Sequence, residues 1–261
     1  MSSFGVHTLT GVRHQTNEDA HGAVPARGVW VVADGMGGHA AGEVASQVAR
    51  DSVVAGVRKG HSLSEAISGA HAAVVAASAE VRARRGMGST VVAVEIERRS
   101  GAARVAWVGD SRAYLWRDGE LRRLTRDHSL VQMLVQQGEI SPAQAETHPD
   151  RNVLVRCLGF DEPKVDQVRM QLEAGDVVLL CTDGLTTEVN DRGLAEIMAE
   201  TDDPQACANA LIRAVEARRG GDDATAVVIR YAPPSAHWLP IVAGALTGAL
   251  VFLIWLWMRS Q

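Results

Sequence analysis

Cysteine is scarce in this chain of 261 residues: Cys157, Cys181 and Cys207 lie far apart, with no C-x-x-C spacing. An odd, sparse count points to a reducing compartment and away from a thiolate metal site. Runs of basic residues are also missing, Arg82, Arg84 and Arg85 being the densest stretch, and the formal net charge is −5. That balance excludes a protein built to neutralise a nucleic-acid backbone. The first residues, MSSFGVHTLTGVRHQ, contain no apolar core of signal-peptide length. No internal repeat is present. What remains is ordinary: 46% hydrophobic and 22% charged residues, which excludes a disordered chain, a collagen-like repeat and a disulfide-rich miniprotein. Aromatic residues make up only 4% of the chain, yet Trp238, Trp255 and Trp257 all fall at its end.

Those tryptophans mark the one sharp compositional break. Residues 238–258, WLPIVAGALTGALVFLIWLWM, carry no charge. As a helix they would span about 31 Å, against a hydrocarbon core of about 30 Å. Tryptophan at both ends suits the two interfaces. The expected organisation is a soluble domain over residues 1–231, a stiff linker over 232–237, a transmembrane helix over 238–258 and a short tail, 259–261.

Within the soluble part, Val29–Ala33 and Val177–Cys181 read as buried strands, each stopping at an Asp-Gly turn. Thr90–Ile96 and Ala224–Tyr231 are further β-rich runs, and Arg104–Val108 with Ala113–Trp116 suggests an adjacent pair. Ser62-Leu63-Ser64-Glu65 is a capping box opening an Ala-rich helix towards Arg85. Asp203-Pro204 opens another helix, and residues 42–59 read as a third.

Acids sit where apolar strands end. Ala33 is followed by Asp34-Gly35, Val108-Gly109 by Asp110, Thr182 by Asp183-Gly184, and Asp222-Asp223 directly precedes Ala224. Near the start comes Arg13-x-x-x-Asn17-Glu18-Asp19. Each alone reads as a turn, a loop or a strand cap. Together they read as a carboxylate site, because converging carboxylates repel and need a cation. Oxygen-only ligands favour Mg²⁺ or Mn²⁺ over Zn²⁺. Glycine after aspartate also lets a backbone carbonyl approach an ion.

In their order along residues 5–230, these motifs resemble the metal-dependent serine/threonine protein phosphatases of type 2C, in their bacterial form. The resemblance rests on Arg13 to Asp19, Val32-Ala33-Asp34-Gly35-Met36-Gly37-Gly38-His39 with Gly42-Glu43, and Gly88-Ser89-Thr90. It continues through Val108-Gly109-Asp110-Ser111-Arg112-Ala113-Tyr114, Leu124 to Ser129, His148-Pro149 and Asn152 to Gly159. Cys181-Thr182-Asp183-Gly184-Leu185 and Asp222-Asp223-Ala224-Thr225 complete it. It implies an α+β fold, a four-layer αββα sandwich of two antiparallel sheets flanked by helices, with the terminal transmembrane helix appended. It implies two Mn²⁺ or Mg²⁺ ions, or three. Asp34 would bridge two ions, Asp183 and Asp222 would hold the first, the Gly35 carbonyl the second, and Asp110 a third. Glu18 and Asp19 would act through metal waters, and Arg13 would bind the substrate phosphate.

The activity so implied is hydrolysis of phosphoserine and phosphothreonine in proteins by a metal-activated water, with no phosphoenzyme and no role for the cysteines. The enzyme would work at the cytoplasmic face of an inner membrane, opposite serine/threonine kinases or on their substrates. A catalytically silent phosphoprotein-binding regulator and a phosphatase of small phosphoesters are the competing readings. Two departures stand out. Met36 occupies the place where animal members carry a histidine. Asp223 replaces the usual asparagine, which leaves open an exchange of roles between Asp222 and Asp223. The segment from about 129 to 158 resembles the family's variable flap, against an inert helical excursion. His39 and His128 read as structural residues.

Overall fold

The computed structural model describes residues 2–37, 41–161 and 164–234. In chain order β1 covers Ser3–Leu9, β2 Asp19–Val24 and β3 Val29–Met36, followed by helices α1 (Ala41–Arg58) and α2 (Leu63–Glu80). Then come β4 (Gly88–Ser89), β5 (Val91–Ile96), β6 (Ala102–Val108), β7 (Arg112–Arg117) and β8 (Glu120–Arg123). Two short helices, α3 (Leu130–Gln137) and α4 (Pro142–Glu146), lead to β9 (Asp166–Gln171) and β10 (Val177–Cys181). Helices α5 (Asp183–Glu188), α6 (Asp191–Ala199) and α7 (Pro204–Ala217) precede β11 (Ala224–Arg230).

The strands form two antiparallel sheets. One runs β1-β11-β10-β7-β8, the other β2-β3-β5-β6-β9 with β4 attached to β3. The continuous apolar runs follow from this stacking, since central strands are buried on both faces. Along β3, Trp30 and Val32 point into the core between the sheets, while Val29, Val31 and Ala33 face α1 and α2. Along β10, Val178 and Leu180 point inward, while Val177, Leu179 and Cys181 face the helices of the other side. The four layers are therefore helix, sheet, sheet, helix, as expected. Small residues set the spacing on the first face: Ala33, Ala93 and Ala106 of the sheet meet Ala45 and Ala49 of α1 and Ala66 and Ala70 of α2.

The capping box forms, with Ser62 accepting from the Glu65 amide and Glu65 accepting from the Ser62 amide at 2.8 Å. Asp203 caps α7 by accepting from the Ala206 amide at 2.7 Å.

Three local expectations are corrected. Arg104–Val108 and Ala113–Trp116 are not neighbours. Strand β6 pairs with β5 and β9, whereas β7 pairs with β10 and β8. Gly109, at φ +108°, lets the chain cross from one sheet to the other there. Strand β3 does not stop at Ala33, because Gly35 and Met36 pair with Ser89 and Gly88 of β4. Asp183-Gly184 is no turn, since Asp183 is the first residue of α5.

The linker from Ser235 on, the span 238–258, the tail and His39 lie outside the described residues. Among the described residues, no helix is long and apolar enough to cross a membrane.

Candidate metal centre and its cleft

Strand ends from both sheets bring the acids to one place. Asp34 comes from β3, Asp110 from the crossing between the sheets, Asp183 from the start of α5 and Asp222 from just before β11. All four line a single cavity of about 640 Å³, together with Glu18, Gly35 and His14. Asp19 pairs with Asp34 across β2 and β3 and lies beneath this floor.

Short polar side chains fix the floor. The Asp34 amide donates to Thr90 Oγ1 at 3.0 Å, and the Asp34 carbonyl accepts from the Thr90 amide at 2.8 Å and Ser89 Oγ at 3.0 Å. Thr90 Oγ1 also meets Ser111 Oγ at 2.7 Å, next to Asp110. Asp19 Oδ2 accepts from Thr182 Oγ1 at 2.9 Å and Thr225 Oγ1 at 2.7 Å. Gly35 sits so close to the Gly42 carbonyl, and to the Glu18 carbonyl that accepts its amide at 3.0 Å, that no side chain fits there.

The electrostatics are those of crowded, dehydrated acids. Burial, then repulsion from Asp19, Asp183, Asp110 and Asp222, holds Asp34 well above the usual carboxylate range. Burial, then Asp183 and Asp127, does the same to Asp110. Asp19 is pushed up to about 8 by burial, against the two threonine bonds that lower it. Asp183 is raised to about 6 by burial and by Asp222. Burial likewise raises Glu18.

The donor set fits a hard cation. Asp19 Oδ1 and Asp183 Oδ1 are buried without a hydrogen-bond partner, and leaving such oxygens unpaired is costly. Arg112, the nearby cation that favours the ionised forms of Asp110 and Asp183, is committed to Asp127 at 2.9 Å. Among the described residues, no group of three or more His, Cys, Asp or Glu side chains stands close enough together to hold a metal ion on its own. The carboxylates surround a cavity rather than a point, which suits Mg²⁺ or Mn²⁺, ions that keep water in their shells.

Asp222 and Asp223 face different ways. Asp222 lines the cavity. Asp223 is 3% exposed and turns away, accepting from the Gly11 amide at 2.8 Å, the Glu18 amide at 2.6 Å and His14 Nδ1 at 2.8 Å. The structure does not bring Arg13 into the cleft lining. Its amide donates to the Gly221 carbonyl at 3.2 Å and its exposed guanidinium lies over the Gly221 α-carbon.

Sequence reading missed His14, Thr182 and Thr225. The signal for the threonines was present, a hydroxyl residue at a buried position beside an acid. His128 is structural as expected, accepting from the Gly109 amide at 3.0 Å and meeting Asp166 Oδ2 at 3.2 Å. Cys181 is fully buried in the helix-side core.

The opposite wall comes from the segment after α4: Asn152, Leu154, Val155, Arg156, Cys157, Phe160 and Asp161. It is open and mixes apolar side chains with Asn152, Arg156 and Asp161, and its Val155 and Phe160 are 44% and 52% exposed.

With this fold and this floor of acids, comparison with known proteins becomes informative. The sequence model of the family described as Stage II sporulation protein E (SpoIIE) matches residues 25–232. The chain is 35% identical over 254 residues to serine/threonine protein phosphatase PstP of Mycobacterium tuberculosis, covering 94% of this chain and 48% of that one. It thus spans about half the length of that curated relative. It is 34% identical to the serine/threonine phosphatase stp of Listeria monocytogenes, covering 84% of this chain and 91% of that one. The solved catalytic domain of a PstP in complex with two manganese ions superimposes with a TM-score of 0.75 at 32% identity, over 88% of this chain and 97% of that one. The chain belongs to the bacterial type 2C serine/threonine phosphatase family.

Proposed function

We propose that this chain removes phosphate from phosphoserine and phosphothreonine in proteins, using two or three Mn²⁺ or Mg²⁺ ions. The observation that carries the proposal is the convergence of Glu18, Asp34, Asp110, Asp183 and Asp222 on one cavity, above two buried carboxylate oxygens that lack partners. Membership of a family of named phosphatases, one solved with two manganese ions, supports it. Asp34, Asp183, Asp222 and the Gly35 carbonyl would hold the two principal ions, and Asp110 a third. Once bound, such ions supply Lewis-acid activation of water and offset the charge of the transferring phosphoryl group. Glu18 and Asp19 would act through water in that shell. The threonine and serine hydroxyls keep the carboxylates in register, and the apolar wall admits the peptide that flanks the phosphorylated residue.

The uncharged span 238–258 supports a membrane location, with the phosphatase domain on the cytoplasmic side. Tethering confines the enzyme near membrane-bound serine/threonine kinases and their substrates and raises its effective concentration there. Deleting residues 236–261 should leave a folded, soluble enzyme, and loss of folding would count against the anchor.

The test is phosphate release from a phosphothreonine peptide by the full chain, with Mn²⁺, with EDTA, and with Mn²⁺ restored. Release that follows the metal is expected. A folded, Mn²⁺-binding chain that releases nothing would favour a silent phosphoprotein-binding regulator. Equal turnover of free phosphoserine and nucleotides would favour a small-phosphoester phosphatase.

A further inference from the structure

We propose that the side chain of the first loop that meets the substrate phosphate is His14, positioned by Asp223, and that Arg13 does not fill that role. This inference rests on the phosphatase reading above.

The loop between β1 and β2 is fastened to residues 220–223. The Val12 amide donates to the Gly220 carbonyl at 3.1 Å and the Arg13 amide to the Gly221 carbonyl at 3.2 Å. With the backbone held this way, successive side chains leave in different directions. Arg13 lies over Gly221, outside the cavity lining, and His14 lines the cavity beside Asp222 and Glu18.

The His14 ring is hydrogen-bonded at one edge and, among the described residues, makes no hydrogen bond at the other. Its Nδ1–H donates to Asp223 Oδ2 at 2.8 Å, and its Nε2 stands 3.7 Å from Asp222 Oδ1. The Nε2 edge is thus the one available to an anionic oxygen entering above the floor. A carboxylate behind an imidazole fixes the orientation of the ring.

Donor counting explains why an acid stands at position 223. Three donors, the Gly11 amide, the Glu18 amide and His14 Nδ1–H, converge on two oxygens. An amide offers one oxygen and would turn an NH₂ group towards either the Gly11 amide or the Glu18–His14 pair. His14 and Asp223 therefore work as a unit. The other basic side chain in the lining is Arg156, on the opposite wall, where it donates to Asp166 Oδ1 at 3.3 Å.

The experiment compares wild type, H14Q, H14R, R13Q, D223N and the H14Q/D223N double variant, all as full chains with Mn²⁺. It reads KM and kcat on a phosphothreonine peptide, and binding of inorganic phosphate to the Mn²⁺-loaded protein by calorimetry. Phosphate binding stays readable even if wild type turns nothing over, so failure of the phosphatase reading is seen separately from failure of this one. H14Q should raise KM and weaken phosphate binding roughly tenfold, the size expected for loss of a hydrogen bond to the charged phosphate. H14R should recover most of that loss, and the double variant should be little worse than D223N alone. Unchanged phosphate binding in H14Q, or the same loss appearing in R13Q instead, would overturn the assignment.

Discussion

The two walls of the cleft are built on different principles. The acidic wall stands on the ends of central strands, and hydrogen bonds tie it to other elements: Asp34 to Thr90, Asp19 to Thr182 and Thr225, and the Glu18 amide to Asp223. The facing wall is loop, anchored mainly through backbone bonds such as Val155 to His128 at 2.8 Å and Leu158 to Ser89 at 2.8 Å. Its apolar side chains face solvent, Val153 and Val155 by about 45% and Phe160 by 52%. Rigid, dehydrated acids determine which chemistry is possible. An open apolar rim touches what surrounds the reacting group. The contrast teaches that reaction and selectivity are separable here, because they reside on elements with few bonds in common.

The hardest test of that division is to remove one acid. In D34N or D183N, Mn²⁺-dependent turnover should fall at least about 100-fold, since even residues behind a metal's own ligands cost 10–100-fold. The metal-free fold should survive and gain stability. Asp34 is raised by burial and by four neighbouring carboxylates, so neutralising it removes repulsion. A gain of about 1 kcal/mol would appear as a melting shift of about 2–4 °C. Retained turnover in either variant at saturating Mn²⁺ would end the assignment of these residues as ligands.

The acidic wall should also reveal itself through pH. Asp19 is raised to about 8 and Asp183 to about 6, against about 3.9 for an exposed aspartate. Across that interval the metal-free folded chain holds protons that the unfolded chain has lost. Its stability from these groups therefore falls as pH rises from about 4 to about 8. A cation competes with the same protons. The Mn²⁺-induced rise in melting temperature should accordingly grow between pH 5 and pH 8. A rise independent of pH would mean that the ion binds elsewhere.

Much of the acidic wall was legible in the sequence, because its logic is local. An apolar run buried on both faces must be a central strand, and an acid at its end has a defined direction. Asp34, Asp110, Asp183 and Asp222 converge for that reason. What was not legible depends on partners distant in sequence. The destination of β7 is set by pairing with β10, more than sixty residues later, so two adjacent runs fell into different sheets. The edge strand β9, DQVRMQ, alternates polar and apolar residues and offers no continuous apolar run to read. The roles of Asp222 and Asp223 were separated only by donors from Gly11, His14 and Glu18. For Arg13, motif order implied contact with the substrate phosphate, whereas the fastened loop sets its guanidinium beside Gly221, outside the cavity lining.

The apolar wall should yield the smallest effect and the sharpest contrast. Phe160 packs one ring edge against Gly88, where β4 meets the cleft, and leaves about half of its surface to solvent. Val155 sits beside it on the same wall and is similarly open. Neither approaches an acid through a hydrogen bond, so trimming them should leave the metal floor intact. Burying such a side chain against a peptide is worth about 1 kcal/mol or a little more, which corresponds to a several-fold change in affinity. F160A and V155A should therefore raise KM for phosphothreonine peptides three- to tenfold (about 1 kcal/mol), with kcat nearly unchanged. The same variants should hydrolyse a small aryl phosphate as wild type does, because that substrate reaches only the floor. Equal losses on both substrates would show that this wall supports the reacting centre itself, and the separation between the two walls would have to be abandoned.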